Sequence, residues 1–153
     1  MNLLLIAVGR VKDGPDVALL RDYAGRLRGW SLTLREVDER RPLPTAERIA
    51  REGRLVLDQV PEGAHVVVLD GGGRTLSSAA FAAHLGRVRD RGTRTVAFLV
   101  GGADGHDAAV LARADLTLSL GAMTWPHRLV RPMLAEQIYR AQAILGGHPY
   151  HRA

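Results

Sequence analysis

Four side chains able to move protons, stack on a base or grip an anion crowd one end of this sequence. They are His148, Tyr150, His151 and Arg152, in the run Gly146-Gly147-His148-Pro149-Tyr150-His151-Arg152-Ala153. Imidazoles titrate near neutral pH, so two of them beside a phenol suit acid–base work. His148 and His151 have no carboxylate or third histidine close by in sequence, so the pair reads as no metal site. The tail carries no apolar periodicity and is expected to contribute little burial. Two other histidines read as structural or surface groups, because His65 opens an apolar run and His84 falls inside a helical one. His127 follows Pro126 in a loop and suits either a helix start or a site.

A second chemical signal comes from glycine. Three apolar runs end in glycine-bearing segments: Asp70-Gly71-Gly72-Gly73-Arg74, Gly101-Gly102-Ala103-Asp104-Gly105, and Gly121-Ala122-Met123-Thr124-Trp125-Pro126. Glycine costs backbone entropy, so such clusters point to positive φ or to a close approach by ligand or chain. Neither GxGxxG nor GxxxxGK[ST] is present, and no lysine lies near these segments to hold a phosphate. A small ligand held by backbone groups fits better than a nucleoside triphosphate.

The elements that must position these groups follow from hydrophobic spacing. Leu3 to Val8 is a strand ending at Gly9. Gly14-Pro15-Asp16 opens a helix with Leu19, Leu20, Tyr23 and Leu27 on its inner face, stopping at Gly29. Leu32, Leu34 and Val37 mark a second strand, and Arg40 to Pro44 a turn-rich basic loop. Thr45 is expected to cap a second helix carrying Ile49, Leu55 or Val56, and Val60. His65 to Leu69 is a third strand, and Ser77 or Ser78 caps a helix with Phe81, Leu85 and Val88. Thr95 to Val100, a helix over Asp107 to Ala114, a short strand at Leu116 to Leu120 and a long helix over Arg128 to Leu145 complete the chain. Pro132 lies inside that last helix, which must therefore begin close to it or bend there. Strands and helices alternate, and the middle strands are apolar on both faces. That pattern is the mark of an α/β fold: a parallel sheet covered by helices on both sides. In such a sheet, ligands bind outside the carboxyl ends of the strands, where the glycine segments fall.

The chain has 153 residues, which suits one domain spanning residues 1–153 with a sizeable core. It has no cysteine, so disulfides, thiol nucleophiles and thiolate metal sites are excluded. No apolar run is long enough to span a bilayer, and the apolar start lacks a basic leader and a cleavage site. The expected location is the cytoplasm, with no membrane partner. Lys and Arg total 21 against 16 acids, giving a net charge of +5. Lys12 is the sole lysine, a bias that a GC-rich genome explains. The positive sign points separately to a polyanion such as nucleic acid.

Longer stretches carry a resemblance. They are Leu4 to Arg10, Leu69-Asp70-Gly71-Gly72-Gly73-Arg74, Phe98 to Gly105, Leu118 to His127, Glu136-Gln137-Ile138-Tyr139-Arg140-Ala141 and His148-Pro149-Tyr150-His151. Together with the length and element order, they make the chain similar to the ribosomal RNA large subunit methyltransferase H family of the SPOUT methyltransferases. Where that family commonly has Asn before the His-Pro-Tyr-His run, this chain has Gly147, and a common Ser in the third glycine segment is Gly121.

The resemblance implies a C-terminal trefoil knot holding S-adenosyl-L-methionine, a homodimer, no metal, and a stem-loop of 23S rRNA within the ribosome as substrate. The product would be N3-methylpseudouridine. By position, cofactor contacts would fall on Leu69, Gly102, Leu120, Gly121, Ala122, Met123, Thr124, Trp125 and Pro126. N3 of pseudouridine is a weakly acidic imide that must lose its proton near the moment of attack. His151 and Tyr150 would handle that proton, and Arg140 and Arg152 would hold phosphate or the anion. Two alternatives remain at this point: a SPOUT-type tRNA methyltransferase and a flavodoxin-like nucleotide-binding module without chemistry.

Overall fold

The computed structural model describes residues 1–152, and Ala153, the last residue of the tail, lies outside them. Five strands and five helices alternate in the order β1 (Asn2–Val8), α1 (Pro15–Arg26), β2 (Ser31–Val37), α2 (Thr45–Asp58), β3 (His65–Thr75), α3 (Ser78–Asp90), β4 (Thr95–Val100), α4 (Ala108–Arg113), β5 (Leu116–Ser119), α5 (His127–Leu145). The strands form one sheet in the order β2-β1-β4-β3-β5, and every pairing is parallel.

Alternation along the strands sorts the core into two halves. Leu3, Leu5, Val67, Phe98 and Leu118 pack against α1, α3 and α5, through Leu20, Phe81, Leu85, Leu134 and Ile138. Leu4, Ile6, Val66, Val68 and Leu99 pack against α2 and α4, through Val56 and Val110. The expected α/β architecture is therefore present, with helices on both faces.

Several local expectations need correction. Thr45 does not cap α2: it is the first helical residue, Pro44 stands at the cap, and no side chain bonds the free amides. Proline carries no side-chain oxygen to accept from the first-turn amides, so α2 starts without a side-chain cap. Leu19 is 47% exposed rather than inside, because the inner face of α1 is taken by Leu20. At α3 it is Ser77 that caps, accepting from the Ala80 amide at 3.1 Å. Pro132 sits within a continuous helix from His127 to Leu145, and it is buried.

The largest correction concerns Asp70 to Arg74. This stretch is not a loop after a finished strand. Leu69 and Arg74 both pair with Leu118, so Asp70 to Gly73 form a bulge and β3 resumes beyond it. Gly73 is where the chain closes up again: a Cβ there would stand 2.7 Å from the Thr117 carbonyl carbon and oxygen. No larger residue fits against that backbone.

At the opposite, amino-terminal edge, His65 of β3 and His84 of α3 face each other, Nε2 to Nε2 at 2.9 Å. In the neutral pair, one ring donates and the other accepts. Burial lowers both pKa values below the usual 6.5, and Arg87, Arg91 and Arg113 press in the same direction, while Asp115 opposes them at His65. Because folding depresses these values, the pair stabilises the protein fully above the unfolded pKa and less as pH falls through the folded values. Thermal midpoints should accordingly drop between pH 7.5 and pH 5.5, and the drop should shrink in His84→Gln. Equal drops in both proteins would assign acid sensitivity elsewhere.

Candidate functional site

A cavity of about 300 Å³ opens at the carboxyl ends of β3, β4 and β5. Leu69, Gly102, Leu120, Gly121, Ala122, Met123, Thr124 and Trp125 line it, together with Asp70, Gly71, Gly101, His106, His127 and Val130. Pro126 is not among the lining residues; it stands at the cap of α5 instead. Two turns shape the walls. Gly105 donates its amide to the Gly102 carbonyl at 3.1 Å, folding the β4 loop back on itself. Ser119 Oγ accepts from the Gly121 amide at 3.2 Å, with Gly121 at φ +118°, a conformation that side chains resist. Met123 is 75% and Trp125 40% exposed at the rim, so both are free to meet a partner.

Gly102 needs a different explanation from the one expected. A Cβ there would lie 3.2 Å from Val8 Cγ1 and 3.3 Å from Glu52 Oε2. The crowding comes from this chain itself, so the lack of a side chain at 102 does not by itself signal a ligand. Two histidines in the lining were not resolved by spacing alone. His106 has a buried Nε2 without a partner, and its burial lowers its pKa. His127, the first residue of α5, is likewise held below its ordinary pKa by burial and by the nearby Arg131 and Arg128.

The tail forms a separate cluster. Tyr150 donates from its hydroxyl to Glu136 Oε1 at 3.0 Å and lies 3.3 Å from the Tyr23 hydroxyl. Its ring meets Tyr139 edge-on, with centroids 4.7 Å apart, and the Arg140 guanidinium stacks over it at 4.8 Å. Burial and these hydrogen bonds raise the phenol well above its ordinary pKa, so Tyr150 keeps its proton at neutral pH. Arg140 binds Glu136 through Nε at 3.0 Å and a terminal nitrogen at 2.5 Å, and another lies 3.3 Å from His151 Nδ1. A guanidinium only donates, so Nδ1 of His151 is the acceptor there. Gly147 explains how the chain turns into this cluster, since its φ is +68°. Asn is the other residue that tolerates that conformation.

A family model described as "Predicted SPOUT methyltransferase" matches residues 1–151. Curated relatives match end to end. The protein of Rhodospirillum rubrum named ribosomal RNA large subunit methyltransferase H is 56% identical over 153 residues, covering 100% of both chains. The proteins of the same name from Paramagnetospirillum magneticum and Nitrobacter hamburgensis are 55% and 46% identical, each covering 99% of both chains. The chain belongs to the ribosomal RNA large subunit methyltransferase H family of SPOUT methyltransferases. Membership in an enzyme family removes the non-catalytic binding module as an alternative.

Within this SPOUT methyltransferase, Arg140, Tyr150, His151 and Arg152 do not line the cavity. A second hollow, a groove of about 520 Å³, joins the two regions. Leu118, Ser119 and Leu120 line both hollows, and Tyr23 and Glu136 line the groove where they hold Tyr150. Sequence reading missed Glu136 and Tyr23 as members of the tail cluster. Glu136 was findable, because it stands four residues before Arg140, the spacing of a helical ion pair. Nothing in the sequence marks Tyr23, which lies 127 residues from Tyr150.

Proposed function

We propose that this chain transfers the methyl group of S-adenosyl-L-methionine to N3 of a pseudouridine in 23S rRNA. The observation that carries this reading is the cavity at the sheet's carboxyl edge, in a chain matched end to end by relatives named for rRNA methylation. The cavity suits the cofactor chemically. Gly101, Gly102, Leu120 and Gly121 bring backbone to the cavity wall, which suits recognition of a purine edge, and Leu69, Leu118 and Val130 offer apolar contact. When bound, the cofactor supplies an electrophilic sulfonium methyl group, so alignment carries most of the catalysis.

The tail supplies the other half. Tyr150 holds its proton, and His151 Nδ1 already accepts from Arg140. We therefore assign the tail to donating hydrogen bonds that stabilise the imide anion, with the proton passing to solvent. The rate should rise with pH while that imide proton limits attack. Arg152 is exposed and suits an RNA phosphate.

A homodimer follows from the same reading. Cavity and tail are separate in one subunit, and the groove between them presents Leu19 at 47% and Leu129 at 45% exposure. A two-fold partner covering that groove would bring one tail to the other cavity. The family reading adds a C-terminal trefoil knot, with residues 1–153 as one domain acting in the cytoplasm on the ribosome.

Two measurements test this. Mass spectrometry of RNA from a strain lacking the gene should show one N3-methylpseudouridine lost from 23S rRNA. A loss from tRNA instead would select the tRNA methyltransferase alternative. Sedimentation should give a species near twice the 16.6 kDa chain mass. A monomer at micromolar concentration would remove the shared site.

A further inference from the structure

One wall of the cavity is held from outside by a single cation. Arg48, on the first turn of α2, binds Asp104 of the Gly101–Gly105 loop. The same guanidinium lies 3.9 Å from Glu52, one turn further along α2. Glu52 is nearly covered, at 14% side-chain exposure, and its carboxylate stands at the back of Gly102. Arg48 therefore sits between two carboxylates, one on the helix and one on the loop. Burial raises the pKa of Glu52, Asp104 raises it further, and Arg48 opposes both. Remove the guanidinium, and two like charges face each other across the helix–loop contact.

From this geometry we infer that Arg48 is a positioning residue that latches the Gly101–Gly105 loop onto α2 and so sets the shape of the cofactor cavity. The inference rests on the cofactor reading above for its functional consequence, but the latch itself is a property of the free protein. Arg48 touches neither cavity nor tail, and its role passes entirely through Asp104 and Glu52. The Gly105 amide, bonded to the Gly102 carbonyl, reports whether the loop is held.

The test has two arms. Without cofactor, amide hydrogen exchange at Gly105 should quicken in Arg48→Met and return towards the wild-type rate in Arg48→Met/Asp104→Asn, where the repulsion is gone. With S-adenosylmethionine, calorimetry should find affinity about fivefold weaker in Arg48→Met, the scale of a partly exposed ion pair. The double variant should recover the part of that loss that the carboxylate repulsion causes. Salt should act with opposite sign in the two single-charge states: it weakens the wild-type latch and relieves the repulsion in Arg48→Met. A merely structural role for Arg48 on α2 would show neither the recovery nor the sign change. Unchanged exchange in Arg48→Met, or no recovery in the double variant, overturns the latch. Failure of the wild-type protein to bind S-adenosylmethionine would overturn the cofactor reading instead, leaving the exchange arm to judge the latch.

Discussion

Removing residues 148–153 will leave S-adenosylmethionine affinity nearly unchanged and cut methyl transfer by roughly 10²–10³-fold, the usual cost of losing donors aimed at a developing anion. The two effects separate because the tail does not line the cavity of its own chain. The loss of rate has a physical source. Without the tail, the imide anion loses the His151 and Arg152 donors, and Arg140 is left facing Glu136 alone. The truncation will also lower stability by about 2 kcal/mol, more than expected for a frayed end. Tyr150 packs edge-on to Tyr139 and bonds a carboxylate, and aromatic pairs and charged hydrogen bonds are each worth about 1 kcal/mol. Tyr150→Phe keeps the ring and loses the hydroxyl, so it should lose only about half as much stability as the truncation. His151→Ala should reduce the rate by about tenfold without moving the melting curve, because removing one donor of several costs less than removing the set. A truncated protein that methylates ribosomes at full rate would shift the chemistry to the Thr124–His127 stretch.

The second large effect is structural. Arg131→Met should destabilise the protein by about 3 kcal/mol, at the lower end for breaking a buried ion pair. Arg131 is 2% exposed, the most deeply buried charge among the described residues. Its guanidinium binds Glu36 at 2.7 Å and donates to the Val8 and Gly9 carbonyls at 3.0 and 2.8 Å. One side chain on α5 thus ties the carboxyl ends of β1 and β2 together. Methionine fills similar space but leaves one carboxylate and two carbonyls without their donor. A melting midpoint lower by about 10 °C would match that loss for a chain of this size. Glu36→Gln combined with Arg131→Met should lose less, since no unpaired charge remains. The cavity should loosen too, because His127 and Val130 on the same segment line it. A single variant within 1 kcal/mol of wild type by urea unfolding would show that packing, rather than this pin, holds α5.

Local pattern was enough for much of this protein. The short, continuous apolar runs Leu3 to Val8 and His65 to Leu69 placed both strands, because a strand buried on both faces of a parallel sheet is apolar throughout. The same holds for the helix over Ser78 to Asp90, whose buried face repeats at three and four residues. The glycine segments were legible as one edge of the sheet, where the cavity opens, since parallel strands in an α/β sheet all end on one side. The tail's residue types marked it as a candidate for proton and anion work, while its contact with Arg140 came only from the structure.

Tertiary structure decided what depends on distant meetings. The order β2-β1-β4-β3-β5 pairs Asn2 of β1 with Thr95 of β4, 93 positions along the chain, a span no local signal encodes. The bulge at Asp70 to Gly73 exists because β3 must resume its ladder with β5, which arrives only later in the chain. Leu19 looked like a core residue because its spacing is right, yet the helix rotates Leu20 inward and leaves Leu19 to the groove. Arg131 is the clearest case. By type it belongs in solvent, and only partners 95, 122 and 123 residues away make its burial affordable in free energy. Sequence fixes which faces are apolar, because that is a short-range property of spacing. Which charges are neutralised, and where, is decided when remote segments pack, because a buried charge is tolerated only beside partners that the fold alone brings to it.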